Sequence, residues 1–470
     1  MTTSYQRLLR ADLTHPRHGV RLVNPQQPIQ PNQKGHTLLT LTDLFCGAGG
    51  SSTGAIQVPG IQVRLAVNHW DRAIETHNTN HPDTLHDCAD ISQIDPRRYP
   101  HTDILWASPE CTNHSKAKGK KKPSNQPDLF GDFIADAAAE RSRATMWDVP
   151  RFAEAHQYEV VLIENVVEAM DWLPFQAWLG AMDSLGYNHQ KIFLNSMHAS
   201  WQGIGAPQSR DRMYVCFWRK GNPKPDLEDM QRPDAWCGEC REIVKARQWW
   251  KNPAKPYGKY KSQYLYRCPN GACKNSIVEP LTEAAATIID WTDLGERIGD
   301  RAKPLADKTM RRIQMGIQKH WTPIHLEHGG NGYDAADVKH PQYMNPDSYY
   351  RAWSVNEPFK TMHTRESKGI AVHPLIMAYY GSGLNTNPVT DPVSTVTTVE
   401  RHTLLNAGKT IDVEDVHFRM LTAHEIKRSM AFPAEYVITG NKREQVKQAG
   451  NAVTPPAARD LVAAAALSLS

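Results

Sequence analysis

Short apolar runs alternate with polar stretches along the first half of the chain. The clearest runs are 38–44, 63–67, 104–107, 158–163 and 213–218. Runs of four to eight apolar residues are typical of buried strands, and helical patterning lies between several of them. Strands that alternate with helices predict a doubly wound α/β sheet.

Several of these strands end in residues that can carry chemistry. The first run passes into the glycine-rich turn 46–50, the second ends at Asn68, and the run at 158–163 ends at Glu164. The carboxyl ends of parallel strands lie at the same edge of a sheet, and doubly wound folds bind their ligands at that edge. Glycines let a turn lie against a cofactor, but a plain strand-to-helix connection has the same pattern, and Glu164 is equally well read as a structural ion-pair partner.

A cysteine and a lysine-rich segment follow the run 104–107. Cys111 comes directly after Pro109 and Glu110, and the segment 112–122 contains five lysines. A thiol on the loop after a strand, beside positive charge, is a candidate nucleophile. The alternative is a small buried residue next to a solvated lysine run, which is the more common situation for an isolated cysteine.

Two arginines, Arg210 and Arg212, precede the run 213–218. The strand period of two places both side chains on one face. Two guanidinium groups on one face suit phosphate or base contact, although arginines are also common on surfaces that bind nothing.

The composition and charge exclude some classes of protein but do not indicate a particular function. The 470 residues are 22% charged and 40% hydrophobic with a net charge of +4, so charge alone does not indicate nucleic-acid binding. Residues 1–16 do not resemble a secretory signal, and no apolar run approaches the roughly 20 residues that span a membrane. We therefore expect an intracellular (cytoplasmic) protein whose eight cysteines are reduced, catalytic or metal-bound.

Two pairs of cysteines in the middle of the chain predict a metal site. A linker, 223–236, leads to four cysteines with basic and aromatic residues between them, and the four are Cys237, Cys240, Cys268 and Cys273. Two such pairs favour a tetrahedral structural zinc; the alternative is reduced structural thiols. The basic and aromatic residues suit contact with DNA, but they would equally stabilise a small ribbon.

The C-terminal half is less regular. The segment 280–316 has helical character, and acidic-Pro turns at 357–358 and 391–392 each lead into a β-branched run. Thr422 and Glu425 have the spacing of a capping box. A last apolar helix is predicted over 457–467 and needs a packing partner.

Five motifs, taken together and in order, resemble the motif series of the DNA (cytosine-5)-methyltransferases. The motifs are Asp43-Leu44-Phe45-Cys46-Gly47-Ala48-Gly49-Gly50, Pro109-Glu110-Cys111, Glu164-Asn165-Val166, Gln208-Ser209-Arg210-Asp211-Arg212 and Gly450-Asn451-Ala452-Val453. The resemblance covers 38 to about 220 and about 415 to 465. The part between them is where that family keeps its variable target-recognition domain.

The resemblance implies a fold and a domain plan. The fold is the Rossmann-like, doubly wound sheet of S-adenosylmethionine-dependent methyltransferases, with a second, smaller zinc-containing target-recognition domain. The plan is a polar N-terminal arm (1–36), a catalytic domain (37–222), a recognition domain (223–414, with the ribbon at 237–273) and a C-terminal segment (415–470) that packs back on the catalytic sheet.

The resemblance also implies a mechanism. The Cys111 thiolate would add to carbon 6 of a flipped-out cytosine, so that carbon 5 takes the methyl group of S-adenosylmethionine. Glu164 would hydrogen-bond ring N3 and the exocyclic amine. Arg212, with Arg210 as a second candidate, would contact the base. The cofactor-binding residues would be Asp43, Phe45, Gly47, Gly49, Gly50, His69, Trp70, Asp90, Ile91, Asn451 and Val453.

Two residues depart from the family pattern. His69 stands where the family usually has an acidic residue for the ribose hydroxyls, so the adenosyl group depends more on Trp70. Glu110 stands where the family usually has proline. A neighbouring carboxylate raises a thiol pKa, so Cys111 would need compensating positive charge from the lysines of 112–122 or from Arg212.

The leading interpretation is therefore a DNA cytosine-5 methyltransferase that acts as a monomer on double-stranded DNA. An RNA cytosine-5 methyltransferase is the nearest alternative, and a catalytically silent DNA-binding module of the same fold is another. A cognate restriction endonuclease is a candidate partner. The recognised base sequence, and whether the donor is S-adenosylmethionine itself or a modified form, stay open.

Overall fold

The computed structural model describes residues 38–110, 145–320, 323–327, 334–364, 367–372 and 412–470, together with the backbone of three strands between 375 and 404. The arm 1–36, Cys111, the lysine-rich segment and the turn at 391–392 lie outside the described residues. By contact, the chain forms two compact units. The sheet unit comprises the described residues of 38–283, 360–364 and 426–470, and the second unit comprises those of 284–359 and 367–425.

The strands are numbered in chain order, and each apolar run of the sequence overlaps one of them. They are β1 (Leu39–Leu44), β2 (Ile61–Asn68), β3 (Leu85–Cys88), β4 (Ile104–Ala107), β5 (Val160–Asn165), β6 (Tyr187–Asn195), β7 (Gln208–Ser209), β8 (Asp211–Arg219), β9 (Asp234–Cys237), β10 (Glu242–Lys245), β11 (Arg247–Trp250), β12 (Tyr264–Arg267), β13 (Ile277–Val278), β14 (Glu296–Arg297), β15 (Ile324–Glu327), β16 (Ala352–Ser354), β17 (Phe359–Lys360), β18 (Lys368–Val372), β19 (Leu375–Tyr380), β20 (Gly383–Pro388), β21 (His402–Leu404) and β22 (His417–Met420).

The α-helices flank these strands. They are α1 (Gly50–Ala55), α2 (Asp71–Asn80), α3 (Asp148–His156), α4 (Phe175–Ser184), α5 (Leu227–Met230), α6 (Asp307–His320), α7 (Ala423–Ser429), α8 (Lys442–Asn451) and α9 (Pro455–Ser468). Within the described ranges, no helix combines the length and the apolar character that crossing a membrane requires.

The sheet unit is built on a seven-stranded sheet with the order β3-β2-β1-β4-β5-β8-β6. The strands β1 to β5 run parallel, and β8 is antiparallel to both of its neighbours, β5 and β6. The predicted α/β sheet is confirmed, as a mixed sheet rather than a wholly parallel one.

The sheet has an apolar core on each face because its central strands are buried on both sides. Ile104, Trp106 and Leu162 belong to the cluster that contains α9, and Leu105 and Ile163 belong to the cluster that contains α3 and α4. The alternation of side chains along a strand produces this division. The last helix therefore packs against the sheet, and eleven consecutive residues of this helix, 455–465, are buried.

The cysteine-rich segment forms two small antiparallel sheets, β10-β9 and β11-β12-β13. We call residues 234–278 the ribbon. It belongs to the sheet unit, and Gln248 donates a 2.9 Å hydrogen bond to the carbonyl of Phe193 on β6, while the amide of Tyr260 donates to the carboxylate of Asp211 at the start of β8.

The second unit contains a five-stranded sheet with the order β14-β22-β18-β15-β16 and a separate sheet of β20, β19 and β21. Beside the larger sheet, Arg312 of α6 forms a buried 2.6 Å ion pair with Asp334. The capping box is confirmed: Thr422 and Glu425 exchange hydrogen bonds at the start of α7.

The helical prediction for 280–316 is largely wrong. Only α6, from Asp307 onward, is α-helical there, and the chain before it forms short 3₁₀ turns and β14. Gly295 has φ +80° and lies against Phe418 and Arg419, where a side chain would not fit. Glycine and proline interrupt the earlier part of the segment and prevent a continuous helix.

Candidate active site

The functional candidates collect at one edge of the sheet because four parallel strands end there. In the strand register, Leu44 is paired with both Val67 and Ala107, and Ala107 is paired with Ile163. The residues that follow these four strands are therefore neighbours, although they are up to about 120 positions apart in the sequence.

The turn after β1 has the left-handed backbone that its glycines predict. Phe45, Gly47 and Gly49 have φ of +59°, +52° and +81°, and α1 begins at Gly50. A side chain at Gly47 would meet only the carbonyl of Phe45, at 4.0 Å, so this part of the turn has open space in front of it. Such a turn can receive a ligand against its backbone.

Asp43, the first residue of the motif, is fully buried. One oxygen, Oδ2, accepts hydrogen bonds from Ser51 at 2.5 Å and from Ser52 at 2.7 Å, which joins β1 to the first turn of α1. The other oxygen has no hydrogen-bond partner among the described residues. Burial raises the pKa of Asp43 to about 6, against the lowering effect of the serine hydrogen bonds.

The C-terminal motif lies directly against this turn. A Cβ on Gly50 would come within 1.9 Å of the carbonyl oxygen of Val453, so only glycine allows the approach. Arg210 is buried and donates to the carbonyls of Gly450 and Ala452 at 3.1 and 3.2 Å. The predicted contact of Arg210 with a base stays a prediction; in the structure it ties the segment that carries Asn451 to the sheet.

Glu164 and Arg212 form the central ion pair of this edge. Arg212 Nε lies 2.7 Å from Glu164 Oε1, and the two side chains are 13% and 12% exposed. The antiparallel pairing of β5 with β8 places them together, because Glu164 is paired with Tyr214, two residues after Arg212. The pair leaves part of the carboxylate accessible from the edge of the sheet.

Asn165 has a positioning role that the sequence reading missed. Its side chain donates to the carbonyl of Pro109 at 3.4 Å and accepts from the amide of Val166 at 2.8 Å. It therefore holds the loop that leads to Cys111 against the end of β5. The sequence signal for this role is that Asn165 is the middle residue of the Glu-Asn-Val motif.

The two departures from the family pattern meet in space. His69 Nδ1 lies 3.6 Å from Glu110 Oε1, and the side chains are 58% and 38% exposed. They follow β2 and β4, which flank β1, so the pair crosses above the glycine turn. The imidazole thus lies beside the carboxylate that precedes Cys111.

Trp70, Asp90 and Ile91 line the same edge beyond β2 and β3. The Trp70 ring is partly exposed, and the ammonium of Lys447 from α8 lies 4.2 Å from its centroid. Asp90 is exposed and caps a short 3₁₀ turn by accepting from the amide of Ser92, and Ile91 is 3% exposed.

These groups fit S-adenosylmethionine. A partly exposed aromatic ring, an exposed carboxylate at Asp90, a partly exposed one at Glu110, and an open glycine turn match the needs of an adenine, a pair of ribose hydroxyls and a sulfonium side chain. Trp70 would face the adenine, and Phe45 and Gly47 would lie along the donor.

A buried histidine cluster behind the turn was also missed. Ser52 contacts His77 Nε2 at 2.9 Å, and His77 Nδ1 contacts His86 Nε2 at 2.8 Å. Burial lowers the pKa of His77 well below its usual value and that of His81 to about 4. The spacing of His77 and His81 by one helical turn was the available signal.

The four predicted metal-ligating cysteines come together in the ribbon. Their sulfur atoms all lie within 4.8 Å of one another, and Cys240 and Cys268 are 3.9 Å apart. A tetrahedral zinc with Zn–S bonds of about 2.3 Å separates its sulfurs by roughly 3.8 Å. The cluster therefore has the dimensions that a four-cysteine zinc site needs.

A family model matches most of this chain, and known proteins match part of it. A family model described as C-5 cytosine-specific DNA methylase matches residues 39–466. The chain is 28% identical over 184 residues to the Type II methyltransferase M.HgiDI of Herpetosiphon aurantiacus, a match that covers 38% of this chain and 52% of that protein. It is 26% identical over 201 residues to M.SsoII of Shigella sonnei, covering 42% and 46%.

These matches span about half the length of each relative. Among solved structures, the S. pombe Dnmt2 methyltransferase aligns with 92% of this chain and 98% of its own, at 12% identity and a TM-score of 0.46.

Proposed function

The chain belongs to the C-5 cytosine-specific DNA methylase family, and we propose that it transfers a methyl group from S-adenosylmethionine to carbon 5 of cytosine in duplex DNA. The observation that carries the proposal is the Glu164–Arg212 pair, joined at 2.7 Å at the strand edge that also bears Pro109 and the glycine turn. A glutamate that is oriented by a guanidinium can accept a hydrogen bond from the exocyclic amine of cytosine and lies beside N3, to which it can pass a proton.

The proposed chemistry begins with the thiolate of Cys111, which lies outside the described residues. It adds to carbon 6 of the cytosine while Glu164 delivers a proton to N3, which neutralises the negative charge that the addition places there. Carbon 5 becomes nucleophilic and takes the methyl group, with release of the neutral thioether S-adenosylhomocysteine. A base then removes the proton from carbon 5, the thiolate leaves carbon 6, and the proton on N3 returns to Glu164. Carbon 5 lies inside the base stack, so the cytosine must be flipped into the site.

The donor, when bound, supplies an electrophilic methyl group. This chain's residues would hold it with the ring of Trp70, the carboxylates of Asp90 and Glu110, and the turn from Phe45 to Gly47. Asn451 is exposed beside that turn and would close the pocket from the C-terminal segment.

The four ribbon cysteines are proposed to hold a structural zinc, and residues 223–414 are proposed as the target-recognition domain. The support for zinc is the clustering of the four sulfurs. The support for the recognition domain is its position between the two parts of the family motifs. The contacts of the ribbon with Phe193 and Asp211 attach its first part to the sheet.

The decisive experiment is label transfer from S-adenosylmethionine to DNA by the wild type, by Cys111→Ala and by the control Cys216→Ala, which removes a thiol that is buried in the apolar core of the sheet unit. We expect transfer by the wild type and the control and none by Cys111→Ala. No transfer to any cytosine-containing DNA by the wild type would refute the proposal, and transfer to RNA alone would replace it with the RNA alternative.

Two further measurements test the finer points. DNA that contains 5-fluorocytosine should trap the wild type covalently, and trapping that survives Cys111→Ala would disprove the adduct. Metal analysis should find one zinc per chain in the wild type and in Cys216→Ala, and a loss in Cys237→Ser. Equal zinc content in all three would exclude the proposed ligands.

A further inference from the structure

The ribbon is much more basic than the rest of the chain. Its residues 234–278 contain nine lysines and arginines against three acidic residues, a net +6 on 45 residues, whereas the whole chain carries only +4. The ribbon is thus one of two strongly basic parts of the chain, the other being the lysine-rich segment 112–122. Such a local concentration indicates an anionic partner.

The strand register places two of these charges on one exposed face. In β11 and β12, Arg247 is paired directly with Arg267, and Trp249 is paired with Leu265. The alternate residues Tyr264 and Tyr266 are buried on the other face. Arg247 is exposed and Trp249 is 50% exposed, so the outer face of this sheet is open.

Two like charges directly opposite each other destabilise a strand pair unless something compensates them. In the part of the chain that the structure describes, no carboxylate lies within salt-bridge distance of Arg247 or Arg267. Other ribbon lysines do have such partners, for example Lys259 with Glu168 at 2.7 Å. The charge of this arginine pair, unlike that of Lys259, is therefore not compensated by a carboxylate among the described residues.

One of the two guanidinium groups is already held in place. Arg267 lies 5.0 Å from the centroid of the Trp249 ring and donates to the carbonyl of Asn275 at 3.3 Å. The ring therefore orients the guanidinium, and one of its faces is occupied rather than open to a stacking base. A guanidinium that is fixed in this way and partly exposed is suited to contact with phosphate.

We propose that this outer face, which we call the arginine face (Arg247, Trp249 and Arg267), binds the phosphate backbone of duplex DNA. The inference rests on the proposed function for the identity of the nucleic acid. Opposing residues of a strand pair lie about 5 Å apart, so the two long side chains can reach neighbouring phosphates of one DNA strand. The contacts carry no base information and would set position and affinity.

The test compares binding of a fluorescent 30-base-pair duplex by the full chain at 50 to 200 mM salt. The variants are the double substitution Arg247→Gln/Arg267→Gln, the double substitution to lysine, and the control Arg97→Gln. Arg97 is 80% exposed and lies in the 3₁₀ turn Pro96–Arg98, between β3 and β4 and outside the ribbon. Removal of two phosphate contacts should reduce the slope of log Kd against log salt by about 2 and raise Kd about tenfold or more.

The lysine variant should retain the salt slope, and Arg97→Gln should match the wild type. If the glutamine variant binds with wild-type Kd and slope, the arginine face is not a DNA contact. If duplex RNA binds more tightly than DNA through the same arginines, the assignment to DNA is wrong.

Methyl transfer measured in the same samples separates this inference from the proposed function. Wild-type transfer to DNA without any effect of the arginines would overturn only the arginine face. Arginine-dependent DNA binding without methyl transfer by the wild type would overturn only the proposed function.

Discussion

Substitution of Gly54 by alanine should destabilise the sheet unit, because α1 and α9 pack without space for a side chain there. An ideal Cβ on Gly54 would lie 2.3 Å from the carbonyl oxygen of Pro455, 2.7 Å from Ala458 Cβ and 2.8 Å from the amide of Arg459. Two of these three atoms are backbone, so α9 must move by roughly 1 Å to restore normal contact distances.

The magnitude follows from two opposing effects. Alanine in place of glycine within a helix stabilises it by about 1 kcal/mol. Overpacking of a close-packed core costs about 1 to 3 kcal/mol, and the rigid backbone of a helix with eleven buried residues favours the upper end. We expect a net loss of about 2 kcal/mol.

Gly180→Ala is the matched control. Gly180 lies within α4, and an added Cβ would meet no atom within 4 Å. The same chemical change should therefore stabilise the protein by about 1 kcal/mol. The opposite signs of the two effects isolate the contribution of the α1–α9 contact.

The assay is urea unfolding of the full chain, followed by circular dichroism and by tryptophan fluorescence. Because the chain contains two compact units, the transition of the sheet unit should be compared rather than one global free energy. If Gly54→Ala is as stable as the wild type or more stable, the packing described here is wrong.

Three other changes test the site. Asn165→Ala should lower kcat for methyl transfer about tenfold with unchanged donor affinity, because it releases the carbonyl of Pro109; an unchanged kcat would show that the loop is held by other contacts. Arg212→Ala should cost about 3 to 5 kcal/mol of unfolding free energy, because Glu164 is left as a buried charge. Adding Glu164→Gln should restore stability but not activity, and recovery of both would assign the pair a purely structural role. The pKa of His81, about 4, is lower than its unfolded value of about 6.5, so the unfolded chain takes up the proton first as the pH falls. The wild type should therefore lose about 3 kcal/mol more stability between pH 7 and pH 4 than His81→Asn, and parallel pH profiles in urea unfolding would contradict this.

Local patterns in the sequence were enough to locate most of the strand ends. The runs at 104–107 and 158–163 are strands because they are short, apolar and followed by turn residues. The capping box at Thr422 and Glu425 was readable because both partners lie within one helical turn. The prediction of a helix over 280–316 was wrong for a local reason too, because glycines and prolines interrupt that segment.

The pairing of distant side chains needed the folded chain. Nothing near Arg210 in the sequence indicates that it holds Gly450 and Ala452, 240 positions away. The contact of His69 with Glu110 likewise depends on β2 and β4 lying on either side of β1.

The sequence by itself therefore determined the strands of the catalytic sheet, the order of the motifs and the residue types available at each strand end, because these depend on local periodicity and turn chemistry. Only the tertiary structure decided which of those residues meet. Glu164 pairs with Arg212 because of the antiparallel register of β5 and β8. The glycine turn contacts Val453 because α1 packs on α9. The strand register and the packing of helices depend on the burial of whole apolar faces of strands and helices. A short segment of sequence does not specify which of these faces will meet.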